Sequence, residues 1–174
     1  MLKLYDTMTR AVSLVTPLES DTVKMYTCGP TVYRDAHIGN LRSYLMADWI
    51  RRALELHGVS VTQVKNITDV GHMRQENIER GEDKVVAAAL DEGKTPQEIA
   101  EKYTARFLED EAKLNILPAS QFPKATDHVS DMISMTQRLL EKGLAYESEG
   151  NVYFDVAKFP IYGLLSGNTG GEGL

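Results

Sequence analysis

The residues best suited to chemistry lie in one short segment, where a predicted strand ends and a helix begins. In this segment Gly39 stands between two side chains that can donate hydrogen bonds, His37 and Asn40. N–H groups at a helix N-terminus point outward, the helix dipole favours an anion there, and glycine lets the backbone come close. Such donors suit phosphoryl or nucleotidyl transfer, in which charge builds up on phosphate oxygens. Taken alone, the four residues from His37 to Asn40 more often mean a surface histidine and a turn.

The spacing of apolar residues predicts the elements that position this segment. Thr22–Thr27 has the pattern of a strand, and the chain from Leu41 to His57 has an apolar stripe at helical spacing. Gly58 follows as a C-terminal cap, and a second strand runs from Val59 to Ile67. A strand–helix–strand unit favours a right-handed crossover between parallel strands, and open α/β sheets bind ligands where such strands end. We therefore predict an α/β fold.

The rest of the chain is predicted to contain both helices and short strands. Short strands are expected at 2–6 and 11–15, helices near 83–91, 96–115 and 127–142, and a hairpin at 144–147 and 151–155. Residues 70–83 are polar and predicted to form a loop, and the glycine-rich end at 166–174 is predicted to be unfolded. Four glutamates are predicted to form a solvated face of the helix at 96–115: Glu98, Glu101, Glu109 and Glu111.

Composition restricts the class of protein. The 174 residues are 43% hydrophobic and 25% charged, which is ordinary for a globular domain. There is no apolar run of about eighteen residues and no apolar secretory signal at the start, and Cys28 is the single cysteine. These features predict a cytoplasmic protein without a membrane partner. The net charge of −6 repels nucleic acid overall, so RNA binding would need a local basic patch or another part of the protein.

A family resemblance accounts for the whole pattern. The segment from His37 to Asn40 resembles the His-Ile-Gly-His motif of class I aminoacyl-tRNA synthetases. The stretch Met25–Tyr33, followed by Ala36–Gly39, is similar to cysteinyl-tRNA synthetases in particular. The likeness continues in order through Asn66–His72, Gly81–Lys84, Leu114–Pro118, Ala125–His128, Val152–Asp155 and Tyr162–Gly167. Because these matches cover nearly the whole chain, the sequence is identified as the N-terminal part of a member of that family.

The resemblance implies a fold and an activity. The fold is a partial Rossmann-like nucleotide-binding domain over residues 1–117, followed over 118–174 by the start of the connective insertion. The implied reaction joins cysteine to ATP, with Mg²⁺, as cysteinyl-adenylate and then transfers the cysteinyl group to tRNA(Cys). His37 and Asn40 are the implied catalytic residues, and His37, Ile38, Gly39 and Asn40 the implied ATP-binding residues.

The resemblance also implies a site for the amino acid. Cys28 corresponds to one of four ligands of a zinc ion that binds the thiolate of substrate cysteine, and Gly29 and Thr68 approach that substrate. A zinc–thiolate bond separates cysteine from serine better than pocket size can. Position alone favours Cys28 as a small buried hydrophobe. Thr68 is equally explained as a cap or turn residue. His72 and His128 are weaker candidates that fit exposed positions.

The chain departs from the family in two ways. Asn40 replaces the second histidine of the motif, and keeps a donor without the imidazole's capacity to charge. The other three zinc ligands, the Lys-Met-Ser-Lys-Ser loop, the second half of the fold and the anticodon-binding domain are absent from these 174 residues. Because one cysteine cannot hold zinc, the chain alone is expected to be inactive, with a missing second half or a complementing chain as a partner.

Two alternatives stay open. A sister enzyme of mycothiol synthesis joins cysteine to an amino sugar, but such enzymes read Cys-Gly-Ile-Thr-Pro-Tyr where this chain reads Cys-Gly-Pro-Thr-Val-Tyr from Cys28 to Tyr33. The second alternative is a truncated, non-catalytic paralogue that binds only a nucleotide or a partner chain. Such a protein should carry no zinc.

Overall fold

The computed structural model describes residues 2–18, 21–71 and 83–167. The chain divides into two compact units, one of residues Thr16–His128 and one of Met1–Val15 with Val129–Leu174. His72 and most of the predicted loop at 70–83 lie outside the described residues, as does the end from 168 to 174. In the part of the chain that is described, no helix has the length and apolar character needed to cross a membrane.

The unit Thr16–His128 is built on the predicted strand–helix–strand motif. Strand β3 (Thr22–Thr27) and strand β4 (Ser60–Lys65) pair in parallel, with Thr22 opposite Ser60 and Thr27 opposite Lys65. Helix α1 (Ile38–Leu56) connects them. On the other side of β4, residues 120–125 run parallel to it, and bridges join Val64 to Gln121 and Ile67 to Lys124. The parallel α/β prediction is therefore confirmed.

Helix α1 begins three residues earlier than the apolar stripe predicts, at Ile38 instead of Leu41. His37 is its N-cap, and the His37 and Asn40 side chains both bond to the backbone of the first turn. Histidine is not among the common N-cap residues, so no familiar capping signal marks this start. As a result, Gly39 and Asn40 lie inside the first turn of α1.

Two helices form a hairpin beside this sheet. Helix α2 (Lys84–Glu92) is capped by Asp83, and helix α3 (Pro96–Lys113) by Thr95, whose hydroxyl accepts from the N–H of Glu98. Apolar side chains of both helices form one cluster with the ring of Tyr33: Val85, Ala89, Ile99, Ala88, Ala100 and Tyr103. The predicted Thr95 cap is confirmed, and Glu98 completes that cap by accepting from the Thr95 N–H at 2.8 Å.

The prediction of a solvated face on α3 is wrong for Glu111. Its side chain is buried and pairs with Lys65 of β4, whose side chain has no exposed surface. The Lys65 ammonium lies 5.1 Å from the centre of the Tyr44 ring and 5.7 Å from that of Phe107. A buried lysine needs a counter-charge, and β4 places Lys65 directly against α3, so Glu111 must face inward.

One face of α1 carries large apolar side chains that contact little of the unit. Met46, Trp49 and Leu56 are all exposed, and Trp49 retains 64% of its surface. Leu56 belongs to the apolar stripe that predicts this helix, but it lies outside the core. The opposite face is buried and includes Tyr44 and Asp48.

The second unit consists of antiparallel pairs and one helix. Strands β1 (Lys3–Asp6) and β2 (Ala11–Leu14) pair with each other, as do β5 (Ala145–Ser148) and β6 (Asn151–Phe154). Helix α4 (Val129–Glu141) follows a turn of 3₁₀ helix at Thr126–His128. Both hairpins and the helix were predicted. The boundary between the nucleotide-binding domain (1–117) and the connective insertion (118–174) stays a prediction.

Candidate functional site

The first turn of α1 sets the orientation of His37 and Asn40. The Gly39 N–H donates to Nδ1 of His37 at 3.0 Å, and the His37 N–H donates to Oδ1 of Asn40 at 3.2 Å. A neutral imidazole that accepts at Nδ1 carries its proton on Nε2. Both acceptor atoms thus face the helix, which leaves the His37 Nε2–H and the Asn40 amide N–H groups as donors to a ligand.

Asn40 can therefore cap the helix and offer a donor to a ligand at the same time. Its carbonyl oxygen caps the helix while its amide nitrogen stays available, which a side chain with a single donor or acceptor could not do. Gly39 is required beside it, because a Cβ at residue 39 would lie 2.8 Å from Cε1 of His37 and would push the imidazole away. Ile38, the other predicted ATP-binding residue, has an exposed side chain, so only its backbone is positioned to contribute.

These donors line a cavity of about 160 Å³. His37, Asn40 and Tyr44 contribute from α1, and Lys84 from the start of α2. The rest of the lining comes from the loop between β3 and α1: Gly29, Pro30, Thr31, Tyr33, Arg34, Asp35 and Ala36. Three predicted site residues, Gly29, His37 and Asn40, therefore share one cavity at the carboxyl end of β3.

Asn66 joins Thr68 to Gly29, the residue that follows Cys28. The Oδ1 atom of Asn66 accepts from the Gly29 N–H at 3.1 Å and from the Tyr26 hydroxyl at 2.9 Å, and its amide donates to the Thr68 hydroxyl at 3.1 Å. The Thr68 N–H also donates to the Pro30 carbonyl at 2.9 Å. The ends of both parallel strands are thereby fixed to each other.

Glycine at position 29 follows from this close approach. A Cβ there would overlap the backbone carbonyl oxygen of Asn66 and lie 3.1 Å from Cγ of Lys65. The Cys28 thiol, by contrast, is exposed. The alternative in which Cys28 is a small buried hydrophobe is therefore wrong, and its thiol is accessible to a ligand or a metal.

Beneath the cavity lies the buried ion pair of Lys65 and Glu111. Burial raises the pKa of Glu111 above its ordinary value, and the attraction of Lys65 only partly opposes that shift. The pKa of Tyr44 is raised to about 12, chiefly by burial and further by Glu111 and Cys28. Tyr44 thus stays a neutral phenol that connects the cavity wall to the buried charges.

The described residues do not form a complete zinc site. Structural and catalytic zinc sites need at least three protein ligands, and the described residues contain no group of three or more His, Cys, Asp or Glu side chains that could hold a metal ion. Cys28 can provide one ligand. His72 lies outside the described residues, and His128 is exposed in the 3₁₀ turn and does not line the cavity.

Several residues of this site were missed by sequence reasoning. Tyr44 stands four residues after Asn40 and so lies on the same face of α1, a spacing that could have revealed it. Asn66 and Lys65 precede Thr68 at the end of a strand, where ligand-binding residues are common in α/β sheets. No local pattern links Lys65 with Glu111, which lies far along the chain on another element.

Comparisons with known proteins agree with this geometry. Residues 14–172 match the family described as tRNA synthetases class I (C) catalytic domain. A cysteine–tRNA ligase of Streptococcus pneumoniae serotype 4 is 43% identical over 169 residues, which cover 97% of this chain and 35% of that protein. A cysteine–tRNA ligase of Pyrococcus furiosus is 44% identical over 167 residues, which cover 96% of this chain and 33% of that protein.

A solved structure supports the fold. Mycobacterium tuberculosis methionyl-tRNA synthetase, in complex with methionyl-adenylate, is similar with a TM-score of 0.60 over 72% of this chain and 23% of that chain. At 21% sequence identity this likeness concerns the fold alone. It agrees with a partial Rossmann-like catalytic domain of class I.

The chain spans about a third of the length of the curated relatives it matches. The family match nevertheless runs through both compact units, and the relatives align along nearly all of the sequence. The chain therefore belongs to the cysteinyl-tRNA synthetase family of class I aminoacyl-tRNA synthetases.

Proposed function

We propose that this chain supplies the ATP-binding and cysteine-binding part of an active site that makes cysteinyl-adenylate and passes the cysteinyl group to tRNA(Cys). One observation carries the proposal. The capping arrangement of α1 turns the donors of His37 and Asn40 away from their own helix, and both residues line the cavity that also contains Gly29. An anion and an amino acid bound there would be neighbours.

The reaction needs positioning and charge stabilisation more than a reactive side chain. A carboxylate oxygen of cysteine attacks the α-phosphorus of ATP, and the bond from that phosphorus to the bridging oxygen breaks to release pyrophosphate. A hydroxyl of the tRNA terminus then attacks the cysteinyl carbonyl, and AMP leaves. His37 and Asn40 would donate to phosphate oxygens as negative charge builds up on them, a contribution of about 2.7–4 kcal/mol for a comparable donor.

The amino-acid side of the site is proposed to lie at Cys28, Gly29 and Thr68. The hydrogen bonds through Asn66 hold these residues beside the cavity, and the Cys28 thiol is exposed. Cys28 is proposed as one zinc ligand, with the remaining ligands outside the described residues. ATP and its Mg²⁺, L-cysteine and tRNA(Cys) are thus the proposed partners, in the cytoplasm.

A chimera tests the proposal. This chain would replace the matching segment of the Streptococcus pneumoniae relative, and cysteine-dependent ATP–pyrophosphate exchange would be measured with zinc added. We expect exchange in the chimera and none above background in the 174-residue chain alone. A folded chimera without exchange would refute the proposal and favour a protein that only binds a nucleotide or a partner chain. Transfer of the cysteinyl group to an amino sugar with release of AMP, but no charging of tRNA, would favour the mycothiol-type ligase.

A further inference from the structure

The cavity has a second cationic wall, which stands apart from the segment His37–Asn40. Lys84 is the first residue of α2, and Arg34 lies in the loop before α1. The Lys84 ammonium is 5.5 Å from the centre of the Tyr33 ring, and the Arg34 guanidinium carbon is 5.1 Å from it. Both distances fall in the range of cation–π attraction. One aromatic ring therefore carries two positive charges at the edge of the candidate site.

The ring that carries them is fixed in place. Tyr33 packs against the apolar cluster of α2 and α3 around Val85, Ala89 and Ile99. Its N–H also donates to the Thr31 carbonyl at 3.1 Å. Because a rigid ring holds both cations, less conformational entropy is lost when they bind a ligand than would be lost by free surface side chains.

Among the residues that the structure describes, neither cation has a carboxylate partner. Within the described residues no ion pair involves Lys84 or Arg34, whereas Asp35, the carboxylate of the cavity lining, is paired with Arg106 at 2.8 Å. Lys84 also stands at a helix N-terminus, where the dipole disfavours a positive charge. Two like charges on one ring also repel each other. A bound anion would offset both this repulsion and the unfavourable effect of the helix dipole.

We propose that Lys84 and Arg34, held on the Tyr33 ring, form the binding site for the pyrophosphate part of ATP. The inference rests on the proposed function, which brings ATP into this cavity. A carboxylate carries a single charge, whereas the β- and γ-phosphates carry several and match two cations beside the donors of His37 and Asn40. A cavity of about 160 Å³ accepts phosphate groups but not a folded RNA backbone.

The test is made on the 174-residue chain, because it contains every residue of the cavity lining. Calorimetric titrations would compare inorganic pyrophosphate, ATP and AMP, each nucleotide with Mg²⁺. We expect Lys84→Met and Arg34→Met each to weaken pyrophosphate and ATP binding about tenfold and to change AMP binding less than about twofold. Lys84→Arg should keep most of the affinity, since the charge remains.

A matched control is Lys113→Met, which removes an exposed lysine near the end of α3 that does not line the cavity. It should leave all three affinities unchanged, and thermal unfolding of each variant confirms that it is folded. Wild-type protein that does not bind pyrophosphate would overturn the inference, and so would an equal loss for ATP and AMP in the folded Lys84→Met variant. If one of these binding results is found while the chimera still exchanges, only this inference fails. If the chimera is inactive while Lys84-dependent binding persists, only the proposed function fails.

Discussion

At the scale of single residues, His37 has two distinct tasks in one side chain. Nδ1 caps α1, which leaves Nε2 as a donor on a residue that lines the cavity. We expect His37→Ala to lower the rate of adenylate formation in the chimera about 10²-fold, because a donor to the developing phosphate charge is lost. The KM for cysteine should change little. Rapid-quench measurement of adenylate formation provides the check.

The matched control is His57→Ala, which removes an exposed histidine from the other end of the same helix. It should leave the rate of adenylate formation unchanged. Equal losses in rate and in cysteine binding for His37→Ala would instead assign His37 a purely structural role in starting the helix.

The Cys28 thiol makes a second prediction at this scale. Because the thiol is exposed at the end of a strand, Cys28→Ser should hardly change the unfolding of the 174-residue chain. In the chimera the same substitution should abolish cysteine activation and lower the zinc content, since serine is a poor zinc ligand. Zinc analysis and pyrophosphate exchange on one preparation test both effects. Full activity in the folded Cys28→Ser chimera would exclude the zinc role.

At the scale of elements, a buried ion pair joins β4 to α3. Lys65→Met alone leaves the Glu111 carboxylate buried without a counter-charge, which costs about 3–5 kcal/mol in comparable proteins. The double variant Lys65→Met/Glu111→Leu removes both charges and should recover wild-type stability or exceed it. Urea unfolding of the chain gives the comparison.

Lys113→Met again provides the control, because its pair with Asp110 is exposed and should contribute less than about 1 kcal/mol. A double variant as unstable as Lys65→Met would mean that the ion pair stabilises the folded chain beyond offsetting the cost of burying its two charges.

The raised pKa of Glu111 adds a pH dependence to the stability of the chain. The folded chain binds this proton more readily than the unfolded one, so the contribution of Glu111 is greatest below its ordinary value of 4.5 and is lost as the pH rises through the raised pKa.

The α2–α3 hairpin should respond to acid in the opposite direction. Lys102, Lys94 and Tyr103 lower the pKa of Glu92 to about 2. The folded chain therefore binds fewer protons at Glu92 than the unfolded chain, and the stability this gives above pH 4.5 is lost as the pH falls toward about 2.

Glu92→Gln should remove this part of the acid dependence. Thermal unfolding midpoints of the wild type and the variant would converge as the pH is lowered from neutral to about 3. Glu101→Gln on α3, where Glu101 accepts from the neutral side chain of Gln97, serves as the control. Parallel curves for wild type and Glu92→Gln would contradict the assigned role.

The elements could be predicted where local rules suffice. Apolar periodicity located α1 and α3, and the alternation of side chains located β3 and β4. Thr95 followed by Pro96 marked the start of α3 because that pair is a familiar helix signal. The start of α1 could not be predicted in the same way, since it depends on a histidine cap. Glu111 could not be distinguished from its solvated neighbours, because its burial is decided by Lys65 on a distant strand.

The site was predictable to a similar extent. The resemblance pointed to Gly29, His37 and Asn40, and the structure gathers them around one cavity. It gave no sign of the Asn66 hydrogen bonds or of the two cations on Tyr33. Those features depend on tertiary contacts that form when the ends of β3 and β4 come together. Local sequence patterns do not predict such contacts.

At the scale of the whole molecule, the sign of the net charge is opposite to that of the two cations at the candidate site. The chain has a net charge of −6, yet Arg34 and Lys84 line the candidate site and are not paired with a carboxylate among the described residues. An acidic surface with a local positive cavity discourages unspecific binding of nucleic acid while attracting a small polyanion. Under the proposed function, binding of tRNA(Cys) would then depend largely on parts that the longer relatives possess and these residues do not include.

The exposed face of α1 also gives the protein an optical signal. Trp49 is the single tryptophan of the chain and keeps 64% of its surface in contact with solvent. Its fluorescence in the isolated chain should therefore resemble that of an indole in water and be readily quenched by iodide. In the chimera, the emission of Trp49 is the difference between the spectra of the chimera and of its Trp49→Phe variant. A blue shift in that difference, with loss of quenching by iodide, would reveal that another part of the protein covers this face. Trp49 thus reports on assembly without any label.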